Sequence, residues 1–187
     1  MHTLQLVASI VLLLVLFATL FLLLLWESSL LFTRAPFISI PAAVLPSIVD
    51  ALELKEGSVM FDLGCGDARV LMACAEKQPR ASFIGIDKAT MAVWFAKFRL
   101  WRAKSRMPIK LIKRNFFKCD MTPATHVFTY LFPGLMDSLL PYLEKQLKPG
   151  TRLVSCDFMF SKKQPTKVID LNRPERSLGR KLYVYEF

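Results

Sequence analysis

The sequence predicts an α/β fold: a mostly parallel seven-stranded sheet with helices on both faces, closed by a C-terminal antiparallel hairpin and preceded by one transmembrane helix. Three observations carry this. Leu4 to Trp26 contains no charged residue. From residue 58 onward, short apolar runs alternate with segments of helical periodicity, which is the pattern of a parallel sheet covered on both faces. In the tail, two strand-like runs are joined by a polar loop with no helix between them, so one strand there must run antiparallel.

At a rise of about 1.5 Å per residue, a helix over Leu4–Trp26 spans a hydrocarbon layer of about 30 Å. A buried core helix would be shorter and carry a polar stripe. A secretory signal peptide would need a positive n-region and a small-residue cleavage site. Here the only early basic side chain is His2, and the run ends in Leu-Trp-Glu. The reading is an uncleaved anchor over residues 1–27, with Trp26 suited to the membrane interface. A connector and pre-domain follow over residues 28–56, punctuated by Pro36, Pro41 and Pro46. Within it, Val44, Leu45, Ile48, Val49 and Leu52 have helical spacing, which predicts a helix over Ala42–Leu54. Proline is tolerated in its first turn.

The main domain is expected over residues 57–187. Strands are predicted at Ser58–Leu63, Ser82–Asp87, Ile109–Arg114, Thr125–Phe132, Thr151–Asp157, Lys167–Leu171 and Lys181–Phe187. Helices are predicted at Asp67–Gln78, Lys88–Ser105 and Gly134–Leu147, the first followed by Pro79 and the last by Lys148-Pro149-Gly150.

Every Lys and Arg lies after the anchor, and the formal net charge is +10. The positive-inside bias puts the C-terminal domain in the cytoplasm of a single-pass membrane protein, although Glu27 and Arg34 cancel close to the membrane. A basic domain would also be attracted to an anionic leaflet. Nucleic acid is the alternative partner for such charge, but no recognisable nucleic-acid module is present. The four cysteines, Cys65, Cys74, Cys119 and Cys156, form no CxxC pair and have no His at metal-ligand spacing. They read as reduced, buried thiols, and no metal site is expected.

The strongest local signal is Val59–Val70, VMFDLGCGDARV: an apolar strand, Asp62, the turn Gly64-Cys65-Gly66, then a helix. Such a strand–turn–helix makes the fold Rossmann-like, with its ligand at the carboxyl ends of the strands. Glycines there let a ligand approach the backbone. Asp62 can accept hydrogen bonds from a cationic or polar group. A dinucleotide fingerprint would place a small residue where Arg69 stands, which weakens the pyrophosphate reading. Asp87 closes the strand Phe83-Ile84-Gly85-Ile86 and can accept from both hydroxyls of a ribose. Its alternative role is an N-cap for the next helix.

These residues resemble the seven-stranded S-adenosylmethionine-dependent methyltransferases, over Ala42–Phe187. The resemblance implies S-adenosylmethionine as cofactor. Asp62, Gly64, Cys65 and Gly66 would form the loop at its methionine part, Asp87 would hold the ribose, and Lys88 would lie near the adenine. The family often has an acidic adenine contact after the third strand. Arg114-Asn115-Phe116 stands there instead, so Asn115 would hydrogen-bond the adenine and Phe116 pack on it.

A narrower resemblance rests on Pro36–Pro41, on Trp94 and Trp101, on Tyr130-Leu131-Phe132-Pro133, on Leu147–Arg152 and on Ser155–Phe158. Order and spacing are similar to the membrane-tethered protein-lysine methyltransferases that act on the adenine nucleotide translocase and on the ATP synthase c-subunit, with their prokaryotic relatives. It implies a lid that includes Pro36–Pro41 and a substrate channel with Tyr130, Phe132, Pro133 and Asp157 as candidates; the substrate does not follow from these motifs, and a lysine of a membrane-associated protein is the expectation. The tryptophans are expected in the core and channel wall, and His126 as a surface or packing residue and not a base. No general base is assigned. A lipid or small-molecule methyltransferase, a non-catalytic cofactor-binding module and a nicotinamide-dependent oxidoreductase remain as rival readings.

Overall fold

A computed structural model of the chain describes residues 2–32, 38–103 and 107–187. It has two compact units, Met1–Pro36 and Phe37–Phe187. In the first, helix α1 runs over His2–Phe32. Its stretch Thr3–Trp26 is long and apolar enough to cross a membrane. The Ser9 and Thr19 hydroxyls donate back to the carbonyls of Gln5 and Leu16, at 2.9 and 2.8 Å, so neither needs an outside partner.

The second unit starts with a 3₁₀ turn at Ala42–Val44 that continues into α2, Leu45–Leu52. Glu53 ends α2 in the left-handed region at φ 52°, so the predicted helix stops short of Leu54. Then follow β1 (Val59–Leu63), α3 (Arg69–Lys77), β2 (Ser82–Asp87), α4 (Thr90–Arg102) and β3 (Ile109–Lys113). After a 3₁₀ turn at Phe116–Lys118 come β4 (His126–Thr129), α5 (Pro133–Gln146), β5 (Arg152–Cys156), β6 (Lys167–Asp170) and β7 (Lys181–Glu186).

The seven strands form one sheet in the order β3-β2-β1-β4-β5-β7-β6. Strands β1 to β5 pair in parallel, and β7 inserts antiparallel to both β5 and β6. The expected hairpin is therefore present. The strand order reverses between β1 and β4, which opens a crevice at their carboxyl ends.

Two cores cover the two faces. One gathers Ile48 and Leu52 of α2, Leu71 and Cys74 of α3, and Ala96 of α4 against Met60, Phe83 and Val154 of the sheet. The other gathers Met136, Leu139 and Leu143 of α5 with Leu63, Val127 and Leu153. All four cysteines are free and buried. Arg152 ties α2 to the sheet: its Nε donates to the Ala51 carbonyl at 2.8 Å, and its guanidinium pairs with Glu53 and Glu186. The pre-domain helix thus shares the core of the sheet.

Three expectations are corrected. Strand β4 stops at Thr129 instead of Phe132. Its neighbour β1 ends at Leu63, opposite Thr129, so Tyr130 has no strand partner on that side. Helix α3 starts at Arg69, because Gly66 and Ala68 lie at φ 54° and 61°, outside the helical region. Trp94 and Trp101 are not core residues: they are 58% and 74% exposed. The expected end of α4 at Ser105 and the expected lid residues Pro36 and Phe37 lie outside the described residues.

Candidate active site at the carboxyl ends of the strands

The glycine turn is held onto the end of β2. The N–H groups of Gly64 and Cys65 donate to the Ile86 carbonyl at 2.8 and 3.2 Å. Gly66 N–H donates to Asp87 Oδ2 at 3.1 Å. Gly64 sits at φ 79°, where only glycine is relaxed, and a Cβ there would meet Leu131 at 3.1 Å. The Cys65 side chain turns away from the turn's open side: its Sγ is one of the atoms that a Cβ on Gly85 would strike, at 2.9 Å.

Three carboxylates surround this turn and meet three different environments. Asp67 accepts from Arg69 Nε at 3.0 Å and Arg69 NH2 at 2.7 Å, and from Arg99 of α4 at 2.8 Å. Burial alone would raise its pKa, but the bonds and charges of these two arginines bring it below the ordinary carboxylate value. Asp87 is raised by burial, opposed by the N–H groups of Ala89, Gly66 and Lys88. Its Oδ1 accepts from Ala89 N–H at 2.8 Å, two residues on, but the N-cap of α4 is Ala89 and no side chain caps that helix, so Asp87 does not take the capping role read as its alternative. Asp62 is buried, 3% exposed, with no hydrogen bond to its carboxylate among the described residues. Its pKa is raised well above the ordinary value by burial first, then by the charges of Asp87 and Asp67. Among the described residues, Asp62 is the one acid of the three with no cation and no hydrogen-bond donor beside it.

Beyond β3, Asn115 caps the 3₁₀ turn, its Oδ1 accepting from Phe117 N–H at 3.1 Å. Asn115 is exposed, whereas Phe116 is buried in the second core with its ring 4.8 Å from that of Phe117. Lys88 is exposed at the start of the β2–α4 connection.

Across the crevice, Tyr130 and Phe132 leave the end of β4, and Asp157 and Phe158 leave the end of β5. Phe158 lies against both neighbouring rings, with centroids 5.9 Å from Tyr130 and 5.4 Å from Phe132. Pro133 occupies the first turn of α5 and is exposed. The Asp157 backbone is left-handed at φ 59°. Its carboxylate accepts from Gly179 and Arg180 N–H, each at 2.6 Å, and so fixes the loop that leads into β7. Burial raises the Tyr130 phenol, and the Asp157 charge raises it further. Tyr130 is therefore a neutral phenol at any physiological pH. His126 sits at the opposite end of β4, paired with Thr125 Oγ1 at 2.8 Å, its pKa pushed down to about 4 by burial and Arg152. It is a neutral packing residue, as expected.

Two features of the site are not evident from sequence reasoning. Phe158 stands in the sequence only as part of a short motif, yet it links the two aromatic strand ends. Arg69 reads only as an argument against a dinucleotide. Its NH1 donates to the Ile40 carbonyl at 2.6 Å, joining the glycine turn to the pre-domain. Its place directly after Gly66-Asp67-Ala68 is the available signal.

Comparison with known proteins gives a consistent picture. Residues 62–167 match the family described as ANTKMT methyltransferase domain. A protein-lysine N-methyltransferase of Saccharolobus islandicus (strain REY15A) is 27% identical, over 81% of this chain and 93% of that protein. The lysine N-methyltransferase of the ATP synthase c-subunit from Homo sapiens is also 27% identical, over 71% of this chain and 56% of that protein. The chain thus spans little more than half the length of its human relative. Among solved structures, an RNA methyltransferase from Salinibacter ruber in complex with S-adenosyl-L-homocysteine superposes with a TM-score of 0.72 at 28% identity, covering 80% of this chain and 93% of that one.

Proposed function

The chain belongs to the ANTKMT methyltransferase domain family of S-adenosylmethionine-dependent enzymes, and from that premise we propose that it methylates a lysine side chain of a membrane-associated protein. The observation that carries the cofactor site is the buried, unpartnered Asp62 carboxylate beside the glycine turn. S-adenosylmethionine supplies an activated methyl group on a sulfonium and also bears a cationic amino-acid end. Asp62 would accept from that amino group, with the backbone of Gly64, Cys65 and Gly66 alongside. Asp87 would accept from the ribose hydroxyls. Lys88, Asn115 and Phe116 would flank the adenine.

Tyr130, Phe132 and Phe158 would wall the channel for the acceptor, with Pro133 at its rim. Aromatic walls disfavour a charged amine and lower its pKa, which leaves the nitrogen lone pair free to attack. The neutral Tyr130 phenol can orient that nitrogen without holding a charge. Asp157 would act by fixing the channel's far wall, through its bonds to the loop before β7. Positioning and water exclusion then supply most of the protein's contribution. A membrane acceptor is favoured by the apolar stretch Thr3–Trp26 on the same chain and by the named substrate of the human relative. With the domain on the cytoplasmic side, the anchor would bring the channel to acceptors at the same membrane.

The test is to incubate purified protein and labelled S-adenosylmethionine with membranes from a deletion strain. The expected result is label in a small membrane-protein band, mapped to lysine. Label confined to solvent-extractable lipid would overturn the lysine assignment.

A further inference from the structure

We infer that the outer face of α4 is a second membrane-docking surface, one that lays the catalytic domain onto an anionic lipid bilayer. Helix α4 packs on the sheet through Ala92, Val93 and Ala96, all buried. Its opposite face carries Trp94, Phe95, Phe98 and Trp101, which are 58%, 40%, 45% and 74% exposed. The spacing 94, 98, 101 puts three of these rings in one stripe along the helix. Trp94 stacks on Phe98 at 6.0 Å and 8°, and Phe98 meets Trp101 at 5.8 Å. The stripe is continuous and apolar, and no described residue covers it. Lys97 and Arg102 flank it, and α4 contains no acidic residue.

Charge selects the partner. Residues 88–119, which contain α4 and the edge strand β3, hold ten Lys and Arg and no Asp or Glu. The other fifteen Lys and Arg balance the chain's fifteen Asp and Glu. The whole net charge of +10 therefore lies in this one stretch of sequence, which contains the edge strand β3. Exposed Trp and Phe rings flanked by Lys and Arg are the composition that settles at a headgroup interface, and anionic lipid adds attraction for each cation. A single-stranded nucleic acid would need ring faces open for stacking bases. Here Trp94 and Phe98 spend facing sides on each other.

This inference rests on the reading of Thr3–Trp26 as a membrane span, and the test separates the two. The chain has three tryptophans, Trp26, Trp94 and Trp101. The full chain carrying Trp26→Phe therefore reports on α4 alone. It is reconstituted into phosphatidylcholine vesicles with or without phosphatidylglycerol, each with brominated or unbrominated chains. Brominated lipid is expected to remove about half of the emission when phosphatidylglycerol is present, and clearly less without it. Lys97→Glu with Arg102→Glu should abolish that difference while the protein still floats with the vesicles. If the protein floats at high salt but its emission ignores bromination, the docking surface is overturned and the anchor stands. If it does not float, the anchor fails and docking fails with it. Emission that responds only to added RNA, or only to protein-to-lipid ratio, would give the stripe to nucleic acid or to a second copy and overturn the proposal.

Discussion

Replacing Asp62 by Asn removes one charge and keeps the shape of the side chain, so it isolates what that charge does. In the wild-type protein the carboxylate is 3% exposed and has no hydrogen-bond partner among the described residues. A cationic cofactor group would therefore meet it with little screening and without a competing donor among the described residues. Hydrogen bonds to charged groups contribute about 1.5–3 kcal/mol, and burial argues for the upper part of that range. Affinity for S-adenosylhomocysteine, measured by calorimetry on the full chain in detergent, should fall roughly ten- to hundredfold in Asp62→Asn. Stability without cofactor should move the other way. The folded-state pKa of Asp62 lies above its unfolded value of 3.8. Between those two values the folded protein binds more protons than the unfolded chain, so stability declines as pH rises through that window. Above the unfolded value the cofactor-free protein thus bears the cost of keeping Asp62 buried, in either protonation form, and Asp62→Asn should raise its melting temperature. Cofactor affinity should weaken as wild-type protein is acidified, because binding must then displace a proton, and this dependence should be shallower in the variant. Unchanged affinity, or a cofactor-free variant that melts lower than wild type, would refute the reasoning.

Three further outcomes are expected. Asp87→Ala should weaken S-adenosylhomocysteine binding by about 1.5–3 kcal/mol in the same calorimetric assay, since it removes the proposed ribose acceptor and the one bonded to Gly66 N–H. Arg69→Gln leaves Asp67 with Arg99 alone and strips the donor from the Ile40 carbonyl. It should lower stability by about 1.5–3 kcal/mol, read by denaturant unfolding, and should raise KM for cofactor if the pre-domain lies over it. Gly85→Ala would place a Cβ 2.6 Å from Leu71, 2.9 Å from Cys65 and 2.9 Å from Leu111. Overpacking of this kind costs about 1–3 kcal/mol and should appear as a lower melting temperature.

Legibility in the sequence follows how local each feature is. Strand β2 has the bounds its apolar run predicts, Ser82 to Asp87, because a run bounded by a turn and an acid needs no distant partner to define it. Strand β4 ends three residues earlier than its sequence predicts. Tyr130, Leu131 and Phe132 continue the apolar run, and only the end of β1 at Leu63 stops the pairing. Helix α4 is apolar on most sides, so its periodicity does not separate Ala92, Val93 and Ala96, which pack on the sheet, from the exposed Trp94 and Trp101. The Asp67–Arg99 pair joins residues 32 apart and leaves no trace in local sequence. Within the site, the glycine turn, Asp62 and Asp87 are all visible in the sequence. That Asp62, alone among the three acids, has no partner among the described residues emerges only from the folded arrangement.

The arginine after the glycine turn shows why this Rossmann-like crevice suits a cationic ligand over a pyrophosphate. A dinucleotide fingerprint keeps a small residue there so that helix and strand can approach closely. Here the close approach is met elsewhere: Ala68 is fully buried at the helix entrance, and Gly85 on the neighbouring strand admits Leu71 of α3. That releases Arg69 to face outward from the packing and neutralise Asp67. Asp67 is thus matched by two arginines and Asp87 by backbone N–H groups, while the fields of both still reach Asp62. A pyrophosphate at this turn would bring negative charge against an unpaired buried carboxylate, which the arginines cannot offset because Asp67 already holds them. An ammonium beside a sulfonium would meet the opposite field. With the cofactor placed as proposed, the preference for S-adenosylmethionine would lie less in the glycines, which both ligand classes use, than in which of the three acids has no cation beside it among the described residues.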